Sequence, residues 1–167
     1  MRNPGGLAIP VLATLALAAL PAVAANSAKG TFTVGGKAIQ ITQVYAWAEK
    51  GFFDPKKDDV VVLMCDAPVP AAGVRDPFGR RDLVKAGKLH CVQQTIDAKK
   101  QVINFKVEHS SFQMPESGGS TEQVFEATTF DGKTIAGRAM TKSPQKSFED
   151  IPYTYDITFS AAIEPKK

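Results

Sequence analysis

The chain has 167 residues, with 20 basic and 17 acidic side chains and a formal net charge of +3. This balance is too weak to indicate nucleic acid or an anionic membrane surface as a partner, and we expect neither. A chain of this length fits one domain whose hydrophobic core needs no heavy cross-linking.

The first 25 residues have the parts of a secretory signal peptide. Arg2 is a short basic region, an apolar run extends from Leu7 to Leu20, and small residues lead to Asn26. The run of about fourteen residues is shorter than the roughly twenty needed to cross a bilayer. We therefore predict cleavage near residue 25, no membrane anchor, and export to the periplasm or the extracellular space. The absence of a twin-arginine pair predicts export without a preloaded cofactor, and no cofactor is expected.

Residues 26–167 alternate between apolar and polar side chains, which predicts a single all-β domain. The first pattern, "TFTVGGKAIQI", is typical of a hairpin, because its Gly-Gly pair tolerates the positive φ angles of a two-residue turn. This turn places Phe32 opposite Ile39. The second strand is predicted to continue through "TQVYAWAEK" to Lys50, with Ile41, Tyr45 and Trp47 on the face of Ile39.

An apolar strand and a long irregular segment follow. The strand "DVVVLMC" is apolar on both faces, as expected for a strand buried between two layers. The segment between Cys65 and Cys91 is irregular, and an Asp-Pro pair and Gly87 bound one short helix there, predicted over residues 78–86.

The rest of the chain predicts two further strand pairs and a long last strand, "YTYDITFSAAI", which alternates without interruption. About eight strands with mostly hairpin connections predict an antiparallel β-sandwich, and a small closed β-barrel is the alternative. The unequal connections and the strands that are apolar on both faces favour the sandwich.

Cys65 and Cys91 are the two cysteines of the chain. In an oxidising compartment they are predicted to form one disulfide, with two buried free thiols as the alternative. Closing a loop of this length stabilises the folded state by on the order of 3 kcal/mol. The C-x-x-C spacing that is usual in redox catalysis is absent.

The adjacency of His90 and Cys91 raises the question of a metal site. Six side chains offer suitable ligand atoms for copper: His90, His109, Met64, Met114 and the two thiols. No two of them have a spacing that recurs in metal motifs, and strand alternation sends His90 and Cys91 to opposite faces. We therefore predict no metal site.

His109 is also the residue on which a hydrolase hypothesis depends. It adjoins Ser110 and Ser111, but adjacency in sequence is not catalytic geometry, and no G-x-S-x-G nucleophile turn is present. We predict no catalytic residue. A hydrolase would require a concave site in which His109 meets a serine and a carboxylate.

Five cations are gathered between the two cysteines: Arg75, Arg80, Arg81, Lys85 and Lys88. Such a group can bind the carboxylates of an acidic partner. Interleaved Asp76 and Asp82 leave a simple solvated face as the alternative. The leading hypothesis is an exported, non-enzymatic binding or structural module, whose basic segment contacts a protein or an anionic component of the cell envelope.

Four aromatic residues give the second functional hypothesis: Tyr45, Trp47, Tyr153 and Tyr155. If they lined one cavity, the protein would be a carrier of a small apolar ligand. At a period of two in long strands they are equally typical of a packed core. The oligomeric state is not predicted.

Overall fold

The computed structural model describes residues 26–119 and 121–166, so the signal peptide predicted for residues 1–25 lies outside the described residues. The described residues form eleven strands and three short helical segments. The strands are β1 Ser27–Val34, β2 Lys37–Ile41, β3 Gln43–Lys50, β4 Asp58–Cys65, β5 Cys91–Ile96, β6 Val102–Glu108, β7 Glu116–Gly118, β8 Gln123–Phe130, β9 Thr134–Thr141, β10 Gln145–Lys146 and β11 Pro152–Glu164. The helical segments are α1 Ala71–Arg75, a 3-10 turn Pro77–Arg80 and α2 Arg81–Lys85.

The strands belong to one sheet that folds over on itself into two layers and does not close into a barrel. The first layer has the order β2, β1, β11, β9, β8, and the second has the order β3, β4, β5, β6, β7. The long strand β11 joins them, because its last residues pair with β3 in parallel while all other described pairs are antiparallel. The predicted all-β sandwich is confirmed, with one parallel pairing that was not predicted.

The inner core lies between the two layers and contains side chains from both. Strand β4 shows why "DVVVLMC" is apolar on both faces. Val60, Val62 and Met64 point into the inner core. Val61 and Leu63 alternate with them and belong to a second apolar cluster on the outside of the second layer.

This outer cluster is covered by residues 66–90, which we call the excursion. Val69, Val84 and Leu89 of the excursion pack on Trp47 and on the outer face of β4. The predicted disulfide is confirmed: Cys65 and Cys91 are bonded, lie opposite each other in the register of β4 and β5, and fix both ends of the excursion. The predicted helix lies inside it, but as α1, a 3-10 turn and α2 rather than as one helix over residues 78–86.

The first hairpin has the predicted register, with Phe32 opposite Ile39 and positive φ at both turn glycines. The predicted continuation of its second strand to Lys50 is wrong. Strand β2 ends at Ile41, and β3 starts at Gln43 in the other layer. This break, together with the very short β7 and β10, explains why eleven strands are found instead of about eight.

A buried ion pair fastens the excursion to the sheet. Arg80 donates from Nε to Oε2 of Glu108 on β6 at 2.6 Å, from Nη1 to the Gly73 carbonyl at 2.8 Å, and from Nη2 to Oε1 of Gln93 at 3.2 Å. The side chains of Arg80 and Glu108 are only 0% and 4% exposed. The prediction that Arg80 belongs to a contact surface is therefore wrong, because its charge is neutralised inside the protein.

Replacing Arg80 alone tests the strength of this anchor. Arg80→Met leaves the Glu108 carboxylate buried without its partner, and we expect the free energy of unfolding to fall by about 3–5 kcal/mol. The double variant R80M/E108L removes both charges and should regain much of that loss. Urea unfolding of the three proteins measures both effects. A double variant no more stable than R80M would show that the unpaired charge is not what destabilises the protein.

Candidate functional site

A groove of about 560 Å³ lies between the excursion and the loops beside strand β7. Its first wall is the excursion, which contributes Phe78, Arg81 and Lys85. Its floor includes Lys106 and Glu108 of β6. The opposite wall comes from three places: the turn after β6, with His109, Ser110, Phe112, Gln113, Met114 and Pro115; Ser117 of β7; and Phe148 in the loop before β11.

The groove carries most of the exposed large apolar side chains. Among the described residues five such side chains are exposed, and three of them line the groove: Phe78, Met114 and Phe148, at 79%, 63% and 75% exposure. They stand on three separate loops that the fold brings together. Exposed apolar side chains concentrated in one place mark binding surfaces, whereas single scattered ones do not.

The charged side chains among the described groove-lining residues are three cations and one carboxylate. Arg81, Lys85 and Lys106 line the groove, and none of them has an ion-pair partner among the described residues. Glu108 is the one carboxylate among the described lining residues, and Arg80 already binds it. An occupant with carboxylates therefore finds three cations that form no ion pair with the described residues.

The backbone at both rim phenylalanines is held by hydrogen bonds to carboxylates. The Phe78 N–H donates to the Asp76 carboxylate at 2.9 Å, which starts the 3-10 turn. The Phe148 N–H donates to Oε1 of the buried Glu116 at 2.6 Å. Both walls are held by carboxylates bound to backbone, so the rings are presented without being packed into the core.

His109, His90 and Asp66 form a cluster at one end of the groove. His90 is bound through Nδ1 to Oδ2 of Asp66 at 2.7 Å, and the ring centroids of His90 and His109 are 4.5 Å apart. The Ser111 N–H donates to Nδ1 of His109 at 2.9 Å. As strand alternation predicts, His90 and Cys91 lie on opposite sides, since Cys91 belongs to the outer cluster.

The pKa of His109 is lowered from 6.5 to about 4, mainly by burial and further by the charges of His90 and Lys37, against the opposing effect of Asp66. The imidazole is therefore neutral at neutral pH. Because its Nδ1 accepts a hydrogen bond, Nε2 carries the proton and acts as a donor. His109 does lie in a concave site beside Ser110, but none of the described hydrogen bonds joins it to a serine hydroxyl, and the Asp66 carboxylate binds His90 instead.

The five predicted contact cations are distributed over several environments. Arg81 and Lys85 line the groove, Arg80 is buried, and Lys88 is exposed outside the groove lining. Arg75 lies over the ring of Trp47 and pairs with Glu164 at 2.9 Å. The structure therefore brings two of the five together at one site.

The four aromatic residues predicted to line a ligand cavity do not come together. Tyr45 and Trp47 belong to the outer cluster, and Tyr153 and Tyr155 to the inner core. The break between β2 and β3 causes this separation. The phenol of Tyr155 is also satisfied inside the core: it donates to Oε1 of Gln123 at 2.5 Å and accepts from Nε2 of Gln94 at 2.9 Å.

The residues considered as metal ligands are similarly dispersed. The thiols form the disulfide, Met64 is in the inner core, and Met114 lines the groove. In residues 26–119 and 121–166 no group of three or more His, Cys, Asp or Glu side chains is arranged to hold a metal ion.

Four residues that give the groove its exposed apolar side chains and part of its positive charge were not predicted as parts of a binding surface: Phe78, Lys106, Met114 and Phe148. Lys106 is one of several polar residues that the alternation places on the outer face of β6. No feature of the sequence therefore distinguished it as a binding residue. The other three shared a usable signal. Each is a large apolar residue in a segment predicted to be irregular, where no core position requires it.

Comparison of the chain with protein-family models, with curated proteins and with solved structures finds no match. None of the helices in the described part of the chain is long and apolar enough to cross a membrane. The groove geometry is therefore the basis on which a function is assigned.

The lowered pKa of His109 predicts a pH dependence of stability. Between the ordinary value of 6.5 and about 4, the unfolded chain binds a proton that the folded protein does not, so the free energy of unfolding decreases as the pH falls through this window. His109→Asn removes the titrating group, and its Oδ1 can still accept from the Ser111 N–H. Urea unfolding at several pH values should show a smaller loss for H109N than for the unmodified protein. Equal losses would contradict the assignment.

Proposed function

We propose that the protein is an exported, non-enzymatic binding module that holds an acidic and apolar segment of a protein partner in the groove. The observation that carries this proposal is the combination of three exposed apolar side chains with three cations that have no ion-pair partner in residues 26–119 and 121–166, all around one concave surface. Burying a large apolar side chain contributes about 1.5–3 kcal/mol. An occupant that covers the three rim side chains therefore gains several kcal/mol before any charge is paired.

The three cations that line the groove indicate that the partner segment carries carboxylates. Arg81 presents a planar guanidinium that can bind a carboxylate through two hydrogen bonds, and Lys85 and Lys106 add single charges. The neutral His109 contributes a donor and no negative charge. A segment that mixes Asp or Glu with large apolar residues therefore matches the groove, whereas a basic segment is repelled.

A protein segment fits this site better than a small molecule does. The apolar side chains stand at the rim on separate loops and are mostly exposed, so they form an extended surface instead of enclosing a ligand. The carrier hypothesis relied on one cavity lined by four aromatic residues, and these residues lie in two separate clusters.

Export is part of the proposal. The disulfide between Cys65 and Cys91 is compatible with an oxidising compartment, where such bonds persist. The residue pattern before Asn26 is the reason to propose a cleaved signal peptide. N-terminal sequencing of the protein recovered outside the cytoplasm should find a chain that starts near Asn26, and a chain that retains residues 1–25 would refute cleavage.

A defined peptide probe tests the groove directly. The probe is a fluorescein-labelled decapeptide in which Glu alternates with Phe and Leu, and fluorescence anisotropy measures its dissociation constant. The charge-reversal variant R81E/K85E should weaken binding at least about tenfold, which corresponds to about 1.4 kcal/mol. The control variant K56E/K99E reverses two exposed lysines away from the groove and should leave the affinity within about twofold.

Two further peptides define the specificity. A peptide with Lys in place of Glu should not bind, and one with Ser in place of Phe and Leu should bind much more weakly. If the acidic and apolar peptide does not bind, or if both charge-reversal variants lose affinity equally, the groove is not the proposed site.

A further inference from the structure

Met114 presents a thioether sulfur at the rim of the groove. The structure describes three methionines, of which Met64 is 0% exposed in the inner core and Met140 is partly buried on β9. Met114, in contrast, is 63% exposed and lines the groove. A hydroperoxide must reach the sulfur atom to oxidise it, so Met114 is the described methionine that reacts most readily.

The other sulfur atoms in residues 26–119 and 121–166 are shielded from an oxidant. Cys65 and Cys91 are 0% exposed and bonded to each other, so the folded protein has no free thiol that competes. Met64 is enclosed by the inner core, and Met140 is covered in part by its surroundings on the sheet. Oxidation of the folded protein is therefore directed to the groove.

The backbone on both sides of Met114 is held independently of its side chain. The Gln113 N–H donates to Oε1 of Glu149 at 3.1 Å. Pro115 follows Met114 and has its φ angle fixed by the ring, and β7 begins one residue later at Glu116. A chemical change at the exposed Met114 side chain therefore alters the surface of the groove and leaves the fold intact.

Oxidation changes the property that makes this side chain suitable for an apolar partner. The methionine side chain is unbranched and polarisable, so it adapts to the shape of an apolar group placed against it. Together with Phe78 and Phe148 it supplies the exposed apolar part of the rim. A sulfoxide carries a polar S–O group instead, and this group loses its hydration when an apolar partner covers it. The sulfoxide therefore opposes the contact that the thioether favours.

We infer that Met114 is a site of modification by hydroperoxides, and that its sulfoxide releases the partner from the groove. The sulfur lone pair attacks one oxygen of hydrogen peroxide, an S–O bond forms, and the O–O bond breaks. The proton on the transferred oxygen moves to the departing hydroxide, which becomes water, and the sulfur is oxidised by two electrons. The inference rests on the proposed function, because it assigns a form of regulation to the same groove.

Mass spectrometry tests whether Met114 is the first methionine to be oxidised. The folded chain is treated with hydrogen peroxide for increasing times, freed of oxidant and digested with trypsin, which places Met64, Met114 and Met140 on three different peptides. The added oxygen atom, about 16 Da, should appear first on the peptide from Val107 to Lys133, which contains Met114. Oxidation of Met64 or Met140 before Met114 would overturn the assignment of the site.

Fluorescence anisotropy with the acidic and apolar peptide, which contains no sulfur, measures the effect on binding. The oxidised protein should bind at least about tenfold more weakly than the untreated protein. M114L keeps an apolar side chain of similar volume without a reactive sulfur, so its affinity should stay within about threefold and should not respond to peroxide. M114Q introduces a polar, unbranched side chain and should bind weakly without any treatment. The matched control M140L should lose affinity on oxidation as the unmodified protein does.

The outcomes separate this inference from the proposed function. If the untreated protein binds the peptide and full oxidation of Met114 leaves the affinity unchanged, the inference is wrong and the proposed function stands. The inference is equally wrong if M114L loses as much affinity on oxidation as the unmodified protein, or if oxidation lowers the midpoint of urea unfolding, since the effect then comes from another residue or from the fold. If the untreated protein does not bind the peptide, both are wrong.

Discussion

The ion pair between Arg80 and Glu108 is the interaction on which the arrangement of the site depends. It is buried, and the same guanidinium also binds the Gly73 carbonyl, so one side chain joins α1, the 3-10 turn and β6. The disulfide fixes where the excursion leaves and rejoins the sheet, but it does not fix what lies between. Arg80 fixes this intervening part of the excursion. Phe78 lies two residues before it and Arg81 one residue after it, so both are held at the groove. Arg80, which the sequence pattern indicated as part of a basic surface, is thus a buried residue that holds the excursion in place.

A second buried carboxylate sets the opposite wall. Glu116 accepts the Phe148 N–H, which holds the loop before β11 against β7. The two walls of the groove are therefore positioned by Glu108 and Glu116, while their apolar side chains remain exposed. This arrangement explains how a small domain with a well-packed inner core keeps rings at its surface: the hydrogen bonds hold the backbone, and the rings remain exposed. Arg81, Lys85 and Lys106 form no ion pair with a carboxylate in the part of the chain that the structure describes.

Much of the fold was predictable because its signals are local. The alternation within strands and the Gly-Gly turn that places Phe32 opposite Ile39 depend on neighbouring residues. The two cysteines allow only a single pairing within the chain. The site was predictable only in part, since Arg81 and Lys85 were named for their charge. Arg80 was misassigned because nothing in the sequence shows that Glu108, 28 residues away, would meet it inside the protein. The four aromatic residues were grouped wrongly because Thr42 separates two layers where the alternation looked continuous.

The most direct test of the groove as a binding site uses methionine methyl groups as reporters. Met114 lines the groove, Met64 is fully buried in the inner core, and Met140 lies on β9 of the other layer. In protein labelled with 13C at the methionine methyls, the acidic and apolar peptide is titrated while NMR spectra are recorded. The proposed function predicts a saturable shift of the Met114 signal with the other two unchanged. An unmoved Met114 signal, or an equal shift at Met140, would contradict it.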